Sequence, residues 1–85
     1  MAYTIVFVNS AKKEFDKLAK DLQARIKVAI DSLVADSRPN GCKKLKGGKN
    51  DYRIRVGDYR IIYKIIDNLL IIEIIAIGHR KDIYD

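Results

Sequence analysis

The segment Tyr52–Ile66 holds two strand-like arms joined by a tight turn, and it constrains the fold more than any other stretch. The first arm, Tyr-Arg-Ile-Arg-Val, alternates apolar and basic side chains, which is the period of a half-buried strand. Gly57-Asp58 between the arms predicts a two-residue hairpin in which the glycine takes the positive φ of a type II′ turn. That turn places Arg55 directly opposite Arg60.

The predicted hairpin gathers arginines on one face of the sheet, because Arg53 lies two residues before Arg55 and shares its side. Like charges opposite each other destabilise a sheet. The arrangement is therefore best explained by an anion bound between Arg55 and Arg60. The alternative is a solvated outer face from which the side chains extend into water.

Composition indicates one small basic domain spanning residues 1–85. The chain has a net charge of +6, and 48% of its residues are hydrophobic, so it is expected to fold and to bind a polyanion such as nucleic acid, an acidic protein or a membrane surface. Cys42 has no partner for an internal disulfide, and with His79 as the sole histidine no zinc site is expected. No other metal and no cofactor is predicted, and the cysteine usage fits a reducing, cytoplasmic setting.

No membrane segment is expected. The N-terminus lacks the basic and apolar regions of a signal peptide. The longest apolar run, Leu69–Ile77, is too short to span a bilayer and is interrupted by Glu73.

Taken in order, the chain predicts an α+β domain with the order β-α-α-β-β-β. A strand over residues 3–8 is followed by Asn9-Ser10 as a helix cap, and the apolar period then changes to that of amphipathic helices. A second helix is expected to begin at Asp21, and a helical hairpin is favoured over one bent helix. The breaker Asp36–Gly41 ends the helical part, and three strands then form an antiparallel meander. The last strand is apolar on both faces, which predicts a central position with helices on one face and another cover on the opposite one.

The residues between the breaker and the meander form a basic loop. It contains candidate RNA-binding lysines: Lys43, Lys44, Lys46 and Lys49. They can follow a phosphate backbone, or they can simply be solvated. The loop lacks the full sequence of a nucleotide-binding phosphate loop.

The last strand brings further candidates to the arginine face. A two-residue turn at Asp67-Asn68 would set Glu73 opposite Ile62, where it pairs with Arg60 or acts as an acid or base; the ion pair is favoured. The end of this strand lies alongside the start of the strand that carries Arg60. The predicted site therefore gathers Arg53, Arg55, Arg60, His79 and Arg80, with Tyr84 a few residues further along.

This set of residues narrows the chemistry. Guanidinium groups bind phosphate oxygens through paired hydrogen bonds, and aromatic rings stack on unpaired bases. Without a carboxylate pair a two-metal nuclease is not expected. A metal-free ribonuclease fits, in which the ribose 2′-hydroxyl attacks the adjacent phosphate and His79 transfers protons near neutral pH.

At these residues the chain resembles the RelE/ParE superfamily of toxins from type II toxin–antitoxin systems, and its RelE branch more closely. The resemblance covers essentially the whole chain. Its segments are the opening Met-Ala-Tyr strand, the lysine-rich helical hairpin, Lys44-Leu45-Lys46-Gly47, Tyr52-Arg53-Ile54-Arg55, Tyr59-Arg60-Ile61-Ile62-Tyr63, and Ile77-Gly78-His79-Arg80 with Tyr84.

The resemblance implies an mRNA interferase that cleaves mRNA in the ribosomal A site and is neutralised by a RelB-like antitoxin. By its motifs, Arg53 and Arg55 match the basic pair of the second strand and Arg60 the phosphate-binding arginine. Arg80 matches the proposed general acid, and Tyr84 the tyrosine that stacks on a base. Lysine often stands at the basic pair in the family; arginine hardly deprotonates, so His79 becomes the candidate base.

Two other functions stay open from the sequence. One is a ParE-like toxin that inhibits DNA gyrase by binding and cleaves no RNA. The other is a nucleic-acid-binding module without catalysis.

Overall fold

The computed structural model describes residues 2–46 and 50–79, and it has an α+β architecture with two helices on one face of a sheet. The elements are β1 (Thr4–Phe7), α1 (Asn9–Asp16), α2 (Lys20–Ser32), β2 (Lys43–Lys44), β3 (Asp51–Val56), β4 (Tyr59–Ile66) and β5 (Ile71–His79). The sheet has the order β1-β5-β4-β3-β2, with β1 parallel to β5 and the other pairs antiparallel. The predicted fold class and the interior position of the last strand are confirmed, and the predicted element order holds apart from the additional short strand β2.

The predicted helix cap at Asn9-Ser10 is wrong, because both residues already belong to α1 and the helix begins without a side-chain cap. Val8 joins the two elements directly. Its N–H donates to the carbonyl of Ile74 in β5, and its own carbonyl accepts from Lys12 in the first turn of the helix. The backbone of one residue thus closes the sheet and opens the helix, which leaves no loop for a cap.

The two helices form the predicted hairpin rather than one bent helix, with Lys17–Ala19 between them. Gln23 of α2 donates from Nε2 to the carbonyl of Phe15 at 2.9 Å, which satisfies a backbone acceptor near the end of α1. The apolar stripe of α2 packs Ile26, Ile30 and Leu33 into the core with almost no exposure. Full burial of each such side chain contributes about 1.5–3 kcal/mol.

The basic loop predicted before the meander contains a short strand that sequence reasoning missed. Lys43 pairs with Arg53 and Lys44 with Tyr52, so β2 forms the edge of the sheet beside β3. Two consecutive lysines show no apolar alternation, and a strand of two residues has no period to detect. Lysines on an edge strand also oppose pairing with a further chain.

The first hairpin has the predicted register, with Arg55 opposite Arg60 and Ile54 opposite Ile61. Gly57 has a φ of 59°, a left-handed conformation that glycine adopts without steric cost. Because the turn fixes this register, Arg55 and Arg60 lie on the same face of the sheet, as predicted.

The second connection differs from the predicted two-residue turn. Residues Asp67–Leu69 form a 3₁₀ turn, and Leu70 follows with a φ of 54°. The longer connection shifts the register, so that Glu73 pairs with Lys64 and not with Ile62. The predicted placement of Glu73 beside Arg60 is therefore wrong.

A polar network joins the loop after α2 to the ends of the sheet. Tyr3 donates to Asp67 at 2.6 Å, and Arg38 lies 3.2 Å from the other carboxylate oxygen of Asp67. Arg38 also donates to the Tyr52 hydroxyl and stacks over its ring, while Tyr63 donates to the carbonyl of Ser37. Two hydrogen bonds lower the pKa of the Asp67 carboxyl. The one donated by Tyr3 has the larger effect, and the one donated by Arg38 adds to it.

Replacing Asp67 with Asn should change how stability depends on pH. A carboxyl whose pKa is lower when folded stabilises the protein above its unfolded pKa of about 3.9, and this contribution is lost as the pH falls through the folded pKa. The variant should therefore melt below wild type at neutral pH, with the difference shrinking in acid. Thermal unfolding from about pH 7 to about pH 2 measures this, and Asp16→Asn, which removes an exposed helix ion pair, is the control. A difference that persists unchanged in acid would contradict the assignment.

Candidate active site

The β3–β4 hairpin carries two arginines on the face opposite the helices, of which Arg55 is exposed and Arg60 half-buried. Arg55 and Arg60 are direct cross-strand partners. With the turn residues Gly57 and Asp58 they line a cavity of about 170 Å³. Guanidinium groups bind phosphate oxygens through parallel charge-assisted hydrogen bonds, so this cavity is a candidate site for a phosphate-like group.

Arg53 lies on the same face but is placed differently, with only 5% of its surface exposed. Burial lowers its pKa, and the charges of Arg55 and Arg60 lower it further. A guanidinium remains charged in spite of such a shift. Arg53 therefore adds fixed positive charge beneath the face, whereas Arg55 and Arg60 are the arginines that line the cavity.

Small residues of β5 leave space beside these arginines. Gly78 is the register partner of Arg60, and Ala76 is the partner of Ile62, the residue that also faces Arg53. Glycine and alanine thus border this part of the arginine face on β5.

His79 does not join the arginines, and the predicted convergence is wrong for this residue. A β-bulge between Ile62 and Tyr63 shifts the register of β5, so that Tyr63 faces Ile74 while Ile62 faces Ala76. The extra residue reverses the alternation, which brings His79 onto the helix side. There its ring meets that of Tyr59 edge to face at 5.6 Å.

The predicted lysines divide between the two faces of the sheet. Lys43, the register partner of Arg53, extends the arginine face across β2, while Lys44 pairs with Tyr52 on the other face. With Leu45 and Lys46 these lysines line a basic cavity of about 220 Å³. Lys49, Arg80 and Tyr84 lie outside the described residues, so their predicted roles stay predictions.

Asp58 is the residue of the site that sequence reasoning missed, since it was interpreted only as part of a turn. Its position in the sequence indicates the role, because a side chain in the two-residue turn between Arg55 and Arg60 lies at the edge of the site that they form. Glu73, the other acidic candidate, lies opposite Lys64, four residues along β4 from Arg60. At about 3.3 Å per residue this is roughly 13 Å away.

Within residues 2–46 and 50–79, no group of three or more metal-binding side chains is close enough to hold an ion. In the same residues, no helix is long and apolar enough to cross a membrane. The site that the described residues form is thus a cationic notch with one carboxylate at its rim.

Comparison with known proteins identifies the fold as that of a class of small toxins. Residues 5–84 match the family described as "ParE toxin of type II toxin-antitoxin system, parDE". The chain belongs to this RelE/ParE family of type II toxin–antitoxin toxins.

Among its relatives, Toxin RelE3 of Methanocaldococcus jannaschii is 33% identical, over 95% of this chain and 94% of the relative. The mRNA interferase toxin RelE of Escherichia coli K12 is 29% identical, over 95% of this chain and 86% of the relative. The toxin fold in the crystal structure of the intact E. coli RelBE toxin–antitoxin complex superposes with a TM-score of 0.83 and 28% identity, covering 92% of this chain and 96% of that one.

An anion should stabilise the wild-type protein through this notch. Inorganic phosphate, compared with chloride at equal ionic strength, should raise the melting temperature, because a ligand that binds only the folded state adds stability. In a domain of this size about 1 kcal/mol corresponds to roughly 4–8 °C. Arg60→Gln should lose the effect, while Lys64→Gln, which removes the same charge further along the strand, should keep it. Equal shifts in both variants would mean that phosphate does not bind at Arg60.

Proposed function

We propose that this protein is a ribosome-dependent endoribonuclease that cleaves mRNA in the A site by metal-free attack of a ribose 2′-hydroxyl on the adjacent phosphate. The observation that carries the proposal is the cross-strand pair Arg55 and Arg60 around an open notch. Support also comes from the relative in E. coli, whose name is mRNA interferase toxin RelE. Since ribosomes and mRNA are its substrates, its place of action is the cytoplasm.

The arginines act on the charge that develops during the reaction. Attack of the 2′-oxygen places additional negative charge on the phosphate oxygens, and preorganised donors in a fixed site stabilise that charge. Arg55 and Arg60 contact the phosphate, while buried Arg53 raises the positive potential behind it. Arg80 stays the candidate general acid for the 5′-oxygen and Tyr84 the candidate that stacks on a base, both on the strength of the family motif.

In this proposal Asp58 is the general base, in place of the predicted His79. His79 lies on the helix face, behind the sheet from the notch, whereas Asp58 lines the notch together with Arg55 and Arg60. Carboxylates serve as general bases where geometry brings them to the proton. Because no compact acid–base pair lines the notch among the described residues, the ribosome supplies the orientation of the 2′-hydroxyl.

The protein's partner is an antitoxin of the RelB type. A related toxin is solved within the E. coli RelBE toxin–antitoxin complex. The net charge of +6 favours a partner with acidic segments, and the exposed apolar side chains Val6, Val28 and Leu69 favour apolar contacts as well.

A second candidate function is inhibition of DNA gyrase without RNA cleavage. The observation that favours it is the match to the ParE toxin family over residues 5–84. In this function the arginine face would bind a protein or DNA, and no side chain would need to act as a general base.

Toeprinting on programmed ribosomes separates the two functions. Wild-type protein should produce a new cut in the A-site codon, and Arg60→Ala should slow cleavage about 10²- to 10³-fold, the usual effect of removing one preorganised donor. Arg80→Ala should also remove most of the cleavage. Lys13→Ala, an exposed charge on α1, is the control.

Both arginine variants should keep their affinity for the antitoxin, which reports that they are folded. Full cleavage by both would reject the arginine site. Absence of a cut with wild type would favour the gyrase function, and a DNA supercoiling assay would test that next.

Asp58→Asn tests the assignment of the base. The variant should cleave roughly 10²- to 10⁴-fold more slowly, because general base catalysis contributes about that much. His79→Gln should slow cleavage far less than Asp58→Asn does. Strong loss of cleavage in His79→Gln together with a normal rate in Asp58→Asn would return the base to the histidine.

A further inference from the structure

A second cavity, of about 370 Å³, lies on the helix side of the sheet beside the same hairpin turn. Leu22 and Arg25 line it from α2, and Val56, Tyr59 and His79 line it from the strands. The cavity forms where the helix layer ends. Further along the core, side chains such as Ile26 and Ile61 are fully buried, whereas Tyr59 and His79 are only half-buried.

The groups around this cavity are flat. The rings of Tyr59 and His79 pack edge to face with an interplanar angle of 83°. The guanidinium of Arg25 lies against the turn, with one Nη 3.4 Å from the position that a Cβ on Gly57 would take. Leu22 and Val56 add an apolar wall. Aromatic rings and guanidinium planes are the surfaces on which unpaired bases stack.

The charges at the cavity do not select for a charged ligand. Arg25 is offset by two carboxylates, Asp21 on the first turn of α2 and Asp58 in the hairpin turn. These oxygens can accept hydrogen bonds from the amino groups of a base. A neutral, planar ligand with edge donors fits this set better than a phosphate or an acidic peptide.

The cavity also shares two lining residues with the arginine notch. Gly57 and Asp58 line both cavities, so the two lie on opposite sides of one two-residue turn. A single strand held by a phosphate at Arg55 and Arg60 therefore has only the turn to pass before it reaches Tyr59 and His79.

We infer that the helix-side cavity binds the base of a nucleotide that flanks the phosphate held by Arg55 and Arg60. This inference rests on the proposed RNA-cleaving function and extends it with a base-binding subsite. It gives His79 a role in holding the substrate, although the residue lies away from the reacting phosphate.

The test uses the full chain and a short single-stranded RNA in which the attacked ribose is 2′-deoxy, so that it binds without being cleaved. Arg25→Ala should weaken binding about tenfold, within the range measured for removing one stacking partner of a base. The matched control is Lys27→Ala, which removes the same charge from the same helix outside the cavity and should change affinity far less.

An RNA with an abasic nucleotide at the flanking position sharpens the test. Wild-type protein should bind it about as weakly as Arg25→Ala binds the intact RNA, and the two losses should not add, because both remove one contact. In NMR spectra the intact RNA should shift the ring signals of Tyr59 and His79 as well as the signals of Arg55 and Arg60.

Three results would overturn the inference. Shifts at the arginines without shifts at Tyr59 and His79 would leave the proposed function standing and reject the subsite. RNA that shifts neither group would reject the subsite, while the toeprinting assay on ribosomes decides the proposed function separately. An Arg25→Ala variant that binds RNA normally but loses affinity for the antitoxin would assign the cavity to a protein partner instead.

Discussion

The left-handed backbone of Gly57 sets the pairing of β3 with β4, and the placement of the charged groups depends on that pairing. A turn of two residues leaves no freedom in register, since a slip of one residue would turn every side chain to the other face. The strand pairing that holds Arg55 beside Arg60 consequently also places Ile54 beside Ile61 in the core. Binding an anion then costs no reorganisation of the backbone, which is the condition for electrostatic catalysis.

Holding like charges together costs stability, and an 85-residue chain has little to spare. Part of that cost is offset on the core side of the same strands. Tyr52 stacks on Tyr63 with ring centroids 5.9 Å apart, and the hydroxyls of both rings are hydrogen-bonded to the loop after α2. β3 thus carries Arg53 and Arg55 on one face and the hydrogen-bonded ring of Tyr52 on the other. One face of the strand contributes to the site, and the other face stabilises the core.

The sequence allowed prediction of the fold class, the helical hairpin and the register of Arg55 with Arg60, because each follows from local periodicity or from a turn of defined length. It did not allow prediction of the face of His79, since that depends on a bulge opposite Ile62 and Tyr63 that no local pattern in the sequence marks. The register of Glu73 failed for a related reason. Leu70 adopts a left-handed conformation that residue type does not indicate, and the connection is longer than its two polar residues predict.

The bulge divides β5 into two parts of opposite phase. Before it the even-numbered residues Ile72 and Ile74 are buried, and after it the odd-numbered Ile77 is buried while Gly78 faces the arginines. The positions that tolerate a polar residue should therefore change from odd-numbered to even-numbered within one strand. A polar residue that is harmless at an odd position before the bulge would disrupt the core at an odd position after it. An insertion or deletion of a single residue here would exchange core positions for site positions along the rest of the strand.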